Sequence, residues 1–252
     1  MGSILPYHEG TRDWKARYTS ESIGLNYCGQ QVIGEEERKL VAFHESGHAV
    51  AASLLPRADP LDKVTIIPRG HALGVTEQIP EEERLNLRES YLRDRIGVML
   101  GGRVSEQLIF GEVSSGAEED LKQATSLARH MVTHWGMSGK LGAVAFHRGE
   151  EHIFLGREMA QQRDFSEHTA RLVDDEIMSL VSGIEEQVTS LLSSHRSCLE
   201  ALAGALLENE TLENADIQAI MEQTASMVPA TGDAKTAQAA EAAGSSRQIS
   251  SG

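Results

Sequence analysis

The run VAFHESGHAV, residues 41–50, sets two histidines four apart with a glutamate directly after the first. On a helix, positions i and i+4 lie on one face, one turn apart. His44 and His48 therefore point the same way and can hold one metal ion through two imidazoles. Glu45 is turned about 100° from His44 and can reach a water on that metal. Zinc lowers the pKa of bound water to about 7. A carboxylate beside it can take the proton next to a polarised carbonyl, which is the chemistry of metal-assisted peptide hydrolysis. The bland alternative is an ordinary helix with two partly buried histidines. Gly47, inside the motif, argues against it. Glycine there costs about 1 kcal/mol of helix stability relative to alanine, and it makes sense if something must approach the backbone closely. The small apolar flanks Val41, Ala42, Ala49, Val50 and Ala51 suit a core helix.

Two histidines do not complete a zinc site, which usually has three protein ligands and an open position for water. Asp120 begins a stripe that continues through Leu121, Ala124, Ala128, Met131, Val132 and Trp135, so its carboxylate is expected to face the interior. A buried carboxylate needs a partner, and a metal is a strong one. The competing role is a first-turn acid favoured by the helix dipole, which Glu118 and Glu119 fit better. Glu106, in LGGRVSEQLIFG (100–111), is the rival. It could ligate directly or orient a ligand from behind. The adjacent Gly101 and Gly102 weaken its helix and suggest tight packing. Spacing favours Asp120 and leaves both open. His130 and His134 form a second i, i+4 pair, but no carboxylate follows His130 and both fall beside the stripe, so they read as solvated. The run GMSGKL (136–141) has the wrong spacing for a phosphate loop, and no ATP or other nucleotide site is read in the chain.

The elements that must position these groups follow from periodicity and punctuation. A helix is expected over 35–55, stopped by Pro56. Residues 63–68 are β-branched and read as a strand, and 72–79 as its hairpin partner. Asn86, with Glu89 three residues on, reads as a capping box for a helix running to Phe110 and ended by Gly111. Another helix covers 117–135 and is closed by Gly136. A short strand is expected at 142–146. From Ser166 to about Gln223 two or three helices are expected, broken near 193–194 and 209–210. The fold class is mainly α, with a small β element and a helical C-terminal part.

Apolar residues make up 40% of the 252-residue chain and charged residues 24%, enough for a real core. The net charge of −15 weighs against nucleic acid or an anionic membrane surface as partner. Cys28 and Cys198 are the only cysteines, so neither a disulfide framework nor a cysteine zinc site is suggested. No apolar run approaches a membrane span, and the N-terminus lacks a signal-peptide layout. A soluble, cytoplasmic chain is expected. Residues 1–31 read as an N-terminal extension, 32–226 as the catalytic domain, and 227–252 as a disordered Ala/Gly/Ser-rich tail with too little apolar surface to offset its ordering entropy.

Seven motifs in order carry a resemblance: FHESGHAV (43–50), DKVTIIPRGHALGVT (62–76), LGGRVSEQLIFG (100–111), SSGAEEDLKQAT (114–125), ARHMVTHWGMS (128–138), FLGREMAQQRDFSE (154–167) and LEALAGALLENETLENADI (199–217). Residues 32–223 resemble the peptidase domain of FtsH-type, membrane-anchored, ATP-dependent zinc proteases. The resemblance implies a helical zinc-metallopeptidase domain with one Zn2+ per chain. It implies His44, His48 and Asp120 as ligands, Glu45 as general base, and Glu106 as a structural group behind the ligands. It also implies that unfolded substrate adds as a strand along an edge matched by His71, Ala72, Leu73, Gly74, Val75 and Thr76, a mode in which main-chain hydrogen bonds supply much of the affinity. The family's ATPase module and transmembrane segments have no counterpart here, and Ser46 replaces the usual alanine. The expected function is a zinc metalloendopeptidase acting on unfolded or flexible proteins. Alternatives are a subunit working with a separate AAA ATPase, as a homo-oligomer (a hexamer in the family) and with membrane association through that partner, or a non-catalytic scaffold keeping the fold.

Overall fold

The elements of the computed structural model follow the chain as α1 (Glu35–Leu54), β1 (Leu61–Thr65), β2 (Val75–Gln78), α2 (Glu89–Phe110), a 3-10 turn (Ser115–Ala117), α3 (Glu118–Thr133), α4 (Glu167–Ser194), α5 (Arg196–Asn209), β3 (Thr211–Glu213) and α6 (Asn214–Met227). The structure describes residues 34–68, 73–79, 84–146 and 166–227. The expected N-terminal extension, the tail from 228 on, most of the motif at 154–167, and His71 and Ala72 lie outside the described residues.

α1 is the central element. Its residues from Val41 to Ala52 are all buried, which is why its pattern is apolar nearly all round. It packs against α2 on one side and α5 on another. A Cβ on Gly47 would collide with the Gly101 carbonyl oxygen, and one on Gly101 would stand 2.6 Å from the Gly47 carbonyl oxygen. The two glycines are therefore the crossing point of α1 and α2, and they answer the question raised by a glycine inside the histidine motif. Ser105 closes the same contact by donating to the Phe43 carbonyl at 2.6 Å.

The small sheet has the order β2-β1-β3, both pairings antiparallel. Val64 pairs with Thr76 on one side and Leu212 on the other. β2 thus keeps one edge free of any described strand. β3 is a three-residue strand that the sequence reading missed; it is too short to carry a period and takes its place by pairing with β1.

Several expected boundaries move. β1 begins at Leu61 and ends at Thr65, because the Ile66 amide turns to the Glu210 carbonyl at 2.9 Å. α2 begins at Glu89, and its N-cap is Arg88 with no side-chain cap, so Asn86 does not cap it. Gly111 does end it, in the left-handed region at φ 74°. α3 starts at Glu118 after the 3-10 turn and stops at Thr133, which leaves Trp135 off the buried face and 45% exposed. No strand forms over 142–146. Gly142 turns the chain at φ 72°, and the Phe146 amide goes to the Thr133 carbonyl at 2.7 Å. The breaks expected near 193–194 and 209–210 are the ends of α4 and α5, and Ser166 caps α4 by accepting from the Thr169 amide. No described helix is long and apolar enough to cross a membrane.

Candidate metal centre

α1, α2 and α3 meet around His44, His48 and Asp120. α1 presents both imidazoles from one face, and α3 brings Asp120 from its first turn. His44 Nε2 and His48 Nε2 stand 3.0 Å apart. Asp120 Oδ2 lies 3.3 Å from the first and 3.4 Å from the second. Among the described residues this is the group of three side chains able to hold a metal ion. Ligands about 2.0–2.2 Å from a tetrahedral zinc are separated by about 3.3–3.5 Å, close to the edges of this triangle.

The opposite ring nitrogens decide which atoms face the centre. His48 Nδ1 lies 2.7 Å from the Val98 carbonyl, which can only accept, so that nitrogen carries the proton and Nε2 holds a lone pair. His44 Nδ1 lies 2.7 Å from Glu106 Oε1 and donates in the same way. Two lone pairs and a carboxylate oxygen then converge within a few ångströms, an arrangement that needs a cation in its middle. In the metal-free protein a proton serves. Burial works against a charged His44 ring, but the Asp120 and Glu106 carboxylates outweigh it and push its pKa up to about 9. Asp120 responds in kind. Burial would raise it, yet its contacts with the His44 and His48 rings hold it well below the usual carboxylate range. The donor set fits a metal on its own chemistry.

Glu106 is fully buried and is not part of the triangle. Its Oε1 accepts from His44 Nδ1 and from the Ser114 hydroxyl at 3.0 Å, and its Oε2 accepts from the Ser114 amide at 2.6 Å. Burial disfavours its charge, and these partners hold its pKa below the ordinary value all the same. It ties the His44 ring to the loop leading into α3, and so to Asp120. Gly102 has a role that its doubled-glycine sequence hinted at. A Cβ there would stand 2.6 Å from His44 Nε2, His44 Cε1 and His48 Nε2. The second glycine keeps the ligand nitrogens clear, while the first keeps the helices close.

Glu45 is buried beside the triangle, and its carboxylate faces β2. The Thr76 hydroxyl donates to Glu45 Oε2 at 2.7 Å. Sequence reasoning had no signal for this contact, since 31 residues separate the pair. Leu73, Gly74, Val75 and Thr76 line a cleft of about 940 Å3 together with His44, Glu45, His48 and Asp120. That volume lies in the range of small-molecule and peptide-sized clefts. His130 and His134 are exposed and stacked on each other, 4.7 Å between ring centroids, and stand apart from the cleft. Lys140, in the GMSGKL run, is paired with Glu176 at 2.6 Å.

Residues 31–220 match the model of peptidase family M41. The chain belongs to that family. It is 60% identical over 200 residues to the ATP-dependent zinc metalloprotease FtsH of Nitrosococcus oceani, covering 79% of this chain and 31% of that protein. The proteins of the same name from Marinobacter nauticus and Pelobacter propionicus are 53% and 50% identical, each covering 76% of this chain and 30% and 31% of their own lengths. The chain spans about a third of the length of the curated relatives it matches. Its family M41 domain is of mainly α fold with a small three-stranded sheet.

Proposed function

We propose that the chain is a zinc-dependent metalloendopeptidase that hydrolyses peptide bonds in unfolded or flexible proteins. The observation that carries this reading is the triangle of His44 Nε2, His48 Nε2 and Asp120 Oδ2 with a buried glutamate beside it in the same cleft. His44 and His48 would hold zinc through Nε2 and Asp120 through a carboxylate oxygen, with Glu106 and the Val98 carbonyl fixing the two rings from behind. Zinc held there supplies Lewis acidity to a water and to the scissile carbonyl. Glu45 takes the proton of the attacking water and passes it to the leaving amine. The free edge of β2, with Leu73 to Thr76 along the cleft, receives the substrate backbone as an added strand, and the edge assigned to His71 and Ala72 belongs to the same reading.

The relatives are named ATP-dependent, which favours a second element of the proposal. The peptidase works within an oligomeric assembly that contains an AAA ATPase, and that ATPase supplies unfolded chains to it. A cytoplasmic location is part of this reading, supported by the acidic balance and sparse cysteines.

One experiment tests both. Purified protein and its Glu45→Gln variant are compared for zinc content and for cleavage of casein, an unstructured substrate. Stoichiometric zinc in both, with cleavage in the parent alone, is the expected result. Loss of zinc along with activity in the variant would remove Glu45 from the proton-handling role. Zinc without cleavage in either protein would point to the ATPase assembly as a requirement for activity, or to a scaffold if adding that assembly restores nothing.

A further inference from the structure

The Glu45 carboxylate is held asymmetrically. Its Oε2 receives the Thr76 hydroxyl at 2.7 Å, and the same hydroxyl lies 3.3 Å from the Glu45 carbonyl oxygen. Its Oε1 lies against Gly74, where an added Cβ would stand 2.5 Å from that oxygen and 2.7 Å from Glu45 Cγ. Both neighbours come from one short segment. Thr76 belongs to β2, and Gly74 sits just before it. Among the described residues, β2 pairs with a strand on one side, β1. Thr76 pairs with Val64 of β1, the Gln78 side chain donates to the Asp59 carbonyl at 2.6 Å, and the Ile79 amide donates to the Pro60 carbonyl at 3.1 Å. Val75, Thr76 and Gln78 of β2 line the cleft.

We propose that Thr76 is a positioning residue for Glu45. It occupies Oε2, so that Oε1, beside the space left by Gly74, is the oxygen that exchanges the proton with water and leaving amine. This inference rests on the reading of Glu45 as the general base. Its consequence is that the strand expected to take up substrate also aims the base. A peptide added to the free edge of β2 holds that strand flat and holds the Thr76 hydroxyl on Oε2. Substrate binding and base orientation are then one mechanical event, because one strand carries both contacts. A hydroxyl donating to an ionised carboxylate is among the stronger side-chain hydrogen bonds, and it leaves the carboxylate with a single free face.

The test uses the full chain loaded with zinc, with casein as substrate and the parent and Glu45→Gln as references. Thr76→Val keeps the shape and β-branching of the side chain and removes the donor. Its expected effect is a fall in kcat of about 10- to 100-fold, the usual worth of a hydrogen bond to an ionised group. KM should stay within about twofold, and zinc stoichiometry should be unchanged. Thr76→Ser restores the hydroxyl and should recover most of kcat. Parent-like kcat in Thr76→Val would overturn the proposal while leaving the peptidase reading intact. So would a rise in KM at constant kcat, which would give Thr76 a role in the strand alone. A Thr76→Ser variant as slow as Thr76→Val would also overturn it. Cleavage by Glu45→Gln at the parent rate would bring down the reading of Glu45 and this inference together.

Discussion

The site depends on single atoms that are absent as much as on those present. Gly102 has no side chain at the one place where a methyl would touch both ligand nitrogens. Gly102→Ala should therefore lower zinc affinity by at least about tenfold, the scale on which disturbed support of metal ligands is felt. Competition with a chromophoric chelator measures this directly. Parent-like affinity would mean that the α2 backbone yields to the methyl without moving either ring. The same reasoning separates Glu106 from Asp120. Both are carboxylates near His44, but Glu106 meets Nδ1 and Asp120 meets Nε2. One therefore sets the ring, and the other shares its metal-facing side.

At the scale of elements, the crossing of α1 and α2 is where intrinsic propensity and tertiary packing disagree most. In an isolated helix Gly47→Ala would add about 1 kcal/mol. Here the methyl meets the Gly101 carbonyl and the Ser105 side chain. Overpacking of this kind costs about 1–3 kcal/mol or more, so the packing effect wins. Gly47→Ala should be destabilised by about that amount in urea unfolding of the zinc-loaded protein. It should also bind zinc more weakly, because the two histidines ride on the displaced helix. A variant more stable than the parent would show that the crossing has slack. β2 is the second element on which function hangs. It is four residues long, it lines the cleft, and its Thr76 hydroxyl donates to Glu45.

For the whole molecule, metal and proton compete for one place, and stability should report the competition. The His44 pKa in the metal-free fold is about 9, against 6.5 when unfolded. A group raised on folding contributes stability that is fully present below its unfolded pKa and is lost as pH rises through the folded one. Metal-free protein should therefore lose stability between pH 6.5 and about 9. Asp120, whose pKa is depressed on folding, contributes stability that is lost as pH falls below its ordinary value of 3.8. With zinc bound, the proton is replaced and the alkaline loss should vanish. Urea unfolding at pH 6 and pH 9, with and without zinc, checks this. An equal alkaline loss in both forms would place its origin elsewhere in the chain.

Much of this protein is local in its sequence. The spacing of His44 and His48 fixes two imidazoles on one helical face whatever surrounds them. The stripe through Ala124, Ala128 and Met131 turns Asp120 the same way as the core, and the apolar run from Val41 to Ala52 declares α1 buried. Helix ends at Gly111 and Ser194 were equally legible, since a left-handed glycine and a break in periodicity are short-range signals. Tertiary structure decided what no short window contains. It set Asp120 rather than Glu106 against the Nε2 atoms, because that choice depends on how α2 and α3 dock on α1, 62 residues or more along the chain from His44. It turned Gly47 and Gly101 into one contact, recruited Thr211–Glu213 as a third strand, and laid Thr76 on Glu45. Those are contacts between distant segments, and a sequence read along its length records the partners without recording that they meet.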